Sequence, residues 1–144
     1  MSFLSKAKEL FGKTINKDLF QAIIAAGMLV SAADGDISDD EVSKLKILLK
    51  TDGRLKAFGE TEIDSVINQY AERLKASFDV GKLSLLKEIS DVKDDPEEAT
   101  LVFVIALAIS KTDGEIGAKE LSVLKIIASR LGVNINNPEY ELKL

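Results

Sequence analysis

The sequence predicts an all-α protein, a compact bundle of about seven helices in which one helix–acidic turn–helix unit occurs twice. Three observations predict it. Apolar residues recur at helical spacing along nearly the whole chain. No run alternates apolar with polar residues as a half-buried strand would, and no Asn-Gly hairpin turn is present. Finally, Asp34-Gly35-Asp36-Ile37 returns as Asp113-Gly114-Glu115-Ile116, 79 positions later. The chain has 144 residues, 46% of them hydrophobic, which is enough to bury a core as one domain over 1–144.

The elements follow in order. Phe3, Leu4, Ala7, Leu10 and Phe11 form a first short stripe, with Lys6, Lys8, Glu9 and Lys13 off it and a stop at Gly12. Such a stripe covers a bundle or makes peripheral contact with a membrane surface. A helix from about Asp18 to Ala33 is apolar on most sides, which marks a central position in the bundle. Val42, Leu45, Leu48 and Leu49 mark the next helix, closing near Thr51-Asp52-Gly53. A helix from about Glu60 to Phe78 buries Ile63, Val66, Ile67, Tyr70 and Leu74. Asp79 caps another, with Leu83, Leu86 and Ile89 on its buried stripe. Asp95-Pro96-Glu97-Glu98 is a strong start signal, with Asp at the cap and Pro at the first helical position. It opens a second largely apolar helix, Leu101 to Ile109, and accounts for the acidic patch that also includes Asp91 and Asp94. The last helix runs from about Ala118 to Leu131, ends at Gly132 and precedes a polar tail.

The repeat units span about 18–52 and 97–132. In the 79-residue register Glu41 falls on Glu120, Ser43 on Ser122, Leu45 on Leu124 and Lys46 on Lys125. A pseudo-twofold arrangement of the two units would bring their acidic turns together. Lys50-Thr51-Asp52-Gly53 repeats the tetrapeptide Lys111-Thr112-Asp113-Gly114, but six residues beyond Gly53 stands Gly59 instead of an acid, so it reads as a helix stop.

Composition excludes several function classes. With no cysteine there are no disulfides, thiolate metal sites or cysteine nucleophiles. With no histidine the commonest general base and zinc ligand are missing, and serines such as Ser31 and Ser110 have no base at a defined spacing. A net charge of −5 without a basic cluster argues against nucleic acid as a partner. The longest apolar run is short of the roughly 20 residues that span a bilayer. No signal peptide is read at the start. The expectation is a soluble, cytoplasmic protein that is not an enzyme, with no catalytic residues and no organic cofactor.

The acidic turns carry what chemistry there is. In a calcium-binding EF-hand loop, a Gly at the sixth position is followed by an apolar residue at the eighth and a bidentate Glu at the twelfth. Gly35, Ile37 and Glu41 have that spacing, as do Gly114, Ile116 and Glu120, with Asp34 and Asp113 at the fifth position. The first and third positions hold Val30 and Ala32 in one copy and Ile109 and Lys111 in the other, so each is only half a loop. The other reading of the same residues is local. Ser38-Asp39-Asp40-Glu41 is a capping box, its acids oppose the positive helix N-terminus, and Gly35 supplies a positive φ after the preceding helix. In the second copy Gly117 replaces Ser38 and breaks the box, yet Asp113, Glu115 and Glu120 persist. Both readings stand at the level of sequence: helix caps, or a weak metal site made of Asp34, Asp36, Glu41, Asp113, Glu115 and Glu120, with calcium ahead of magnesium.

The opening Met1-Ser2-Phe3, the Ala32-Ala33-Asp34-Gly35 turn with Ile37-Ser38 and Glu41, the Asp95-Pro96-Glu97-Glu98-Ala99 start and the Ser110-Lys111-Thr112-Asp113-Gly114 turn resemble the bacterial tellurite-resistance TerB family over nearly the full chain. The resemblance implies an all-α bundle and a role in tellurite or general chemical-stress resistance. It also implies work beside an integral membrane TerC-like partner and calcium-binding TerD-type proteins, placing the chain in the cytoplasm at the inner face of the membrane. It further implies that the six turn acids named above are metal ligands. Gly117, Ala118 and Lys119 make the second helix start less acidic than Ser38, Asp39 and Asp40 make the first. Tellurite is an anion and would be repelled by carboxylates, and without cysteine there is no thiol to reduce it. Three functions follow in order: a cation-binding adaptor for a membrane-associated complex; a metal-independent, co-chaperone-like module whose acidic face docks a basic partner; and last an enzyme, since a carboxylate-only metal site could activate water but no substrate pocket or second catalytic group is evident.

Overall fold

Two largely buried helices lie side by side at the centre, and the other described elements pack around them. The computed structural model describes residues 15–51, 55, 58–112, 114–142 and 144. Among these are six α-helices: α1 (Lys17–Ser31), α2 (Asp39–Thr51), α3 (Gly59–Ala76), α4 (Phe78–Ser90), α5 (Pro96–Ser110) and α6 (Ala118–Leu131), followed by a 3-10 turn at Pro138–Tyr140. The described residues contain no strand. The helix expected over residues 3–11, with its membrane contact, lies outside the described residues, as do Asp52, Gly53 and Asp113.

Every residue of α1 from Leu19 to Val30 is buried except Gln21. In α5 burial runs from Leu101 to Leu107. Both starts are capped by a short polar side chain. Asn16 Oδ1 accepts from the Leu19 N–H at 2.9 Å, and Asp95 Oδ1 accepts from Glu97 and Glu98 at 3.0 and 3.2 Å. The two helices are parallel. At one end the Asn16 amide donates to Glu98 Oε2 at 3.4 Å, and at the other Val30 and Ile109 share a cleft. Gly27 permits the close approach there, because a Cβ would lie 3.1 Å from both Leu45 Cδ1 of α2 and Ile109 Cδ1 of α5.

The junction of α3 and α4 corrects two expectations. Ser77, and not Asp79, is the cap. Its extended backbone (φ −157°, ψ 114°) ends α3, and its hydroxyl accepts from the Val80 N–H at 3.4 Å to start α4. Asp79 sits in the first turn, where its charge still favours the helix start. Leu83 is 60% exposed instead of buried. The buried face of α4 is Gly81, Leu85, Leu86 and Ile89, and Leu83, two residues from both Gly81 and Leu85, points the other way at 100° per residue.

Among the described residues, the tail after Gly132 contributes one to the core. Tyr140 is 4% exposed and packs its ring against Phe103 of α5 at 4.9 Å. Lys111 Nζ donates to the Tyr140 carbonyl at 3.2 Å, tying the tail to the end of α5. Among the described residues no helix is long and apolar enough to cross a membrane.

Candidate functional site

Each acidic turn follows one of the central helices. After α1, Asp34 Oδ1 accepts from the Asp36 N–H at 3.2 Å, and Gly35 has φ 94°, a conformation that side chains with a Cβ rarely adopt. The capping box at α2 is complete: the Ser38 hydroxyl accepts from the Glu41 N–H at 3.1 Å, and Glu41 Oε1 accepts from the Ser38 N–H at 3.0 Å. In the second turn Gly114 has φ 108°. Glu120 Oε1 there accepts from the Gly117 N–H at 3.2 Å. The second box is therefore half preserved and not broken outright, because the backbone N–H of Gly117 is still available and only the hydroxyl is missing.

Because α1 and α5 run parallel, their ends open on a common cleft of about 490 Å³. Its charged lining is Asp34, Glu41 and Lys44 from the first unit and Lys119 and Glu120 from the second. Its apolar lining includes Val30, Leu45, Leu48 and Ile109, and the hydroxyl residues Ser31 and Thr112 also face it. Thr112 Oγ1 donates to the Ile109 carbonyl at 2.7 Å, which leaves its lone pairs as acceptors.

Of the six turn acids, Asp34, Glu41 and Glu120 line this cleft. Asp36 is exposed and is not part of the lining. Glu115 lines a separate cavity of about 380 Å³ with Lys111, Ile116, Leu121 and Glu141. Asp113 lies outside the described residues. Among the described residues no three Asp, Glu, His or Cys side chains gather closely enough to hold one metal ion. Glu41 and Glu120 each commit one oxygen to a helix start and leave the other open.

Two features, one in the cleft and one beside a separate pocket between α2 and α3, are not read from the sequence. Lys44 and Lys119 place positive charge beside the carboxylates, and only the packing of the two units brings them to one opening. Asp39 pairs with Lys75 at the end of α3, Nζ to Oδ1 at 2.8 Å. That hydrogen bond and the ammonium charge hold the Asp39 carboxyl below its ordinary value. The local signal for Lys44 was present, since it stands one turn beyond Glu41, but nothing local points to Lys75.

A family model described as "Tellurite resistance protein TerB" matches residues 20–139. The chain belongs to the TerB family. Within that family, a "Tellurium resistance protein TerB" of Alcaligenes sp is 26% identical over 96 residues, covering 67% of this chain and 79% of that protein. No solved structure gives a significant match. The matched span takes in both acidic turns and all the cleft-lining residues.

Proposed function

We propose that this TerB-family chain serves chemical-stress resistance by binding and not by turnover, as an adaptor for a membrane-associated complex whose cleft takes up a divalent cation weakly. The observation that supports this reading is that Asp34 and Glu41 of one turn and Glu120 of the other line a single cleft. The donor chemistry fits a hard cation, because carboxylate and hydroxyl oxygens suit calcium first and magnesium second. Among the described residues Asp34, Glu41 and Glu120 do not gather closely enough to ligate one ion together, so an ion in the cleft would be held largely through its water shell, with Ser31 and Thr112 as neutral oxygens in the same lining. That separation and the two lysines in the lining make any such site weak.

The test is a calcium and then magnesium titration of metal-stripped protein, followed by amide NMR shifts. The expected result is shifts over residues 34–41 and 117–120, saturating at about 0.1–1 mM as in low-affinity calcium modules, and abolished in Asp34→Asn/Glu120→Gln. No shift at either turn up to about ten times that concentration would remove the cation.

A second reading dispenses with the cation. Lys44, Lys119 and the apolar floor of Leu45 and Ile109 favour a peptide surface over a bare ion site. In that case the adaptor binds a basic partner directly, and binding weakens with salt while ignoring chelators.

A further inference from the structure

Helix α2 keeps an apolar ridge uncovered beside the cleft. Ile47 is 63% exposed and Leu48 is 36% exposed. The residues 79 positions further on behave differently: Ile126 packs against the core and Ile127 is fully buried. The cause lies in what each helix packs against. Helix α6 is covered by α5, α4 and α1, whereas α2 contacts α1 and α3. Lys44, Ile47 and Leu48 fall on one side of α2 by helical spacing, and Leu48 also lines the cleft beside Leu45 and Ile109. The apolar floor of the cleft thus continues outward onto the surface of α2.

The charge around this strip decides what fits it. Asp34, Glu41 and Glu120 line the cleft against Lys44 and Lys119, and Asp36 and Asp40 stand exposed in the same turn and helix start. The excess is acidic. A second copy of this chain, with net charge −5, would set like charges opposite one another, and an anionic membrane would be repelled for the same reason.

We propose that the cleft and the Ile47–Leu48 ridge form a docking site for one amphipathic helix of a protein partner. The helix would lay apolar residues at i, i+3 and i+4 spacing over Ile47 and Leu48 and bring lysine or arginine side chains to Asp34, Glu41 and Glu120. The two glutamates accept those cations on the oxygens not used for capping. This inference rests on the adaptor part of the proposed function and does not require the cation, which would compete with the partner's lysine or arginine side chains for the same carboxylates.

The test titrates isotope-labelled protein with three synthetic helices of equal length: an amphipathic leucine–lysine peptide, a scramble of the same composition, and a leucine–glutamate counterpart. The expected result is amide shifts confined to residues 41–48 and 117–120 with the first peptide, and at least about tenfold weaker binding for the other two. Ile47→Ser, an exposed change with little effect on folding, weakens the first peptide by about tenfold. Equal binding of the scramble, equal binding by Ile47→Ser, shifts centred elsewhere such as Val80 and Leu83, or no shifts at all would overturn the docking site. Capture of partners from tellurite-stressed cells by tagged full-length chain separates this from the broader reading. A partner held equally by wild type and Ile47→Ser overturns the docking site and leaves the adaptor standing. Absence of any partner on the wild-type chain overturns both.

Discussion

Glu41 and Glu120 stand 79 positions apart in the chain, yet each accepts the backbone N–H three residues before it and both line the same cleft. Their helix starts differ by one hydroxyl, since Ser38 accepts from the Glu41 N–H and Gly117 has no side chain to do so.

That difference yields the first prediction. Gly117 has an extended backbone (φ −73°, ψ 166°) that suits serine, and a Cβ there would be 3.5 Å from Glu120 Oε1, an ordinary contact. Gly117→Ser should therefore stabilise the fold by about 0.5–1 kcal/mol, combining a completed cap with a less flexible unfolded chain. Ser38→Ala should cost about 1 kcal/mol. Urea midpoints check both, and a Gly117→Ser variant less stable than the parent would show that the second box has no room for the hydroxyl.

Two glycines in helices give a second prediction with a built-in contrast. A Cβ on Gly81 would stand 2.6 Å from the Arg73 carbonyl oxygen and 2.8 Å from the Leu74 nitrogen, both backbone atoms that cannot move aside alone. A Cβ on Gly27 would meet only the methyl ends of Leu45 and Ile109 at 3.1 Å. Gly81→Ala should cost about 2–3 kcal/mol by prising α4 from the end of α3, and Gly27→Ala about 1 kcal/mol or less. Equal midpoints for the two variants would contradict the packing described at the α3–α4 junction.

Much of this molecule was legible in the sequence, and the exceptions share a cause. Asp95-Pro96 and the glycines of the two turns act locally, so the start of α5 and the positive-φ positions at Gly35 and Gly114 were readable from a few residues each. The apolar runs in α1 and α5 identified the central pair because a helix buried on all sides has no polar face to spare. The cap at Ser77 was missed because Asp79, an equally good cap by type, stands two residues later. The exposure of Leu83 was missed because an apolar residue on a short helix looks alike on either face until the neighbour is known. In the cleft, Glu41 and Glu120 were read from spacing. Lys44 and Lys119 join them only through tertiary packing, and Glu115 departs from them for the same reason.

A third prediction concerns acid titration. The Lys75 ammonium, 2.8 Å away and hydrogen-bonded, lowers the Asp39 carboxyl from its ordinary value of 3.8. A depressed carboxyl contributes stability that is present above its ordinary value and is lost as pH falls through the lowered one. Lys75→Met should raise the Asp39 titration midpoint toward 3.8, as followed by side-chain carboxyl NMR, and flatten the stability curve only in that acid window. Because Asp39 is almost fully exposed, salt should move its midpoint in the same direction as the substitution. A midpoint insensitive to both would mean that the pair does not form in solution.

The last prediction lies at the other end of the pH scale and in the tail. Tyr140 is buried against Phe103, and burial, aided by the nearby Glu139 charge, raises its phenol above the ordinary value of 10.0. Tyr140→Ala should cost about 3 kcal/mol, as loss of a buried ring does elsewhere, and should release the tail that Lys111 holds through the Tyr140 carbonyl. Tyr140→Phe keeps the ring and should be nearly neutral at pH 7. The two variants separate again in alkali. A phenol with a raised value contributes stability that is complete below its ordinary value and is lost as pH climbs through the folded one. Wild type should therefore lose stability above about pH 10 more steeply than Tyr140→Phe, with Tyr70, raised chiefly by its own burial, supplying the slope that remains. Thermal unfolding between pH 7 and 11 measures this directly, and identical alkaline slopes for the two proteins would place the Tyr140 hydroxyl in water instead of in the core.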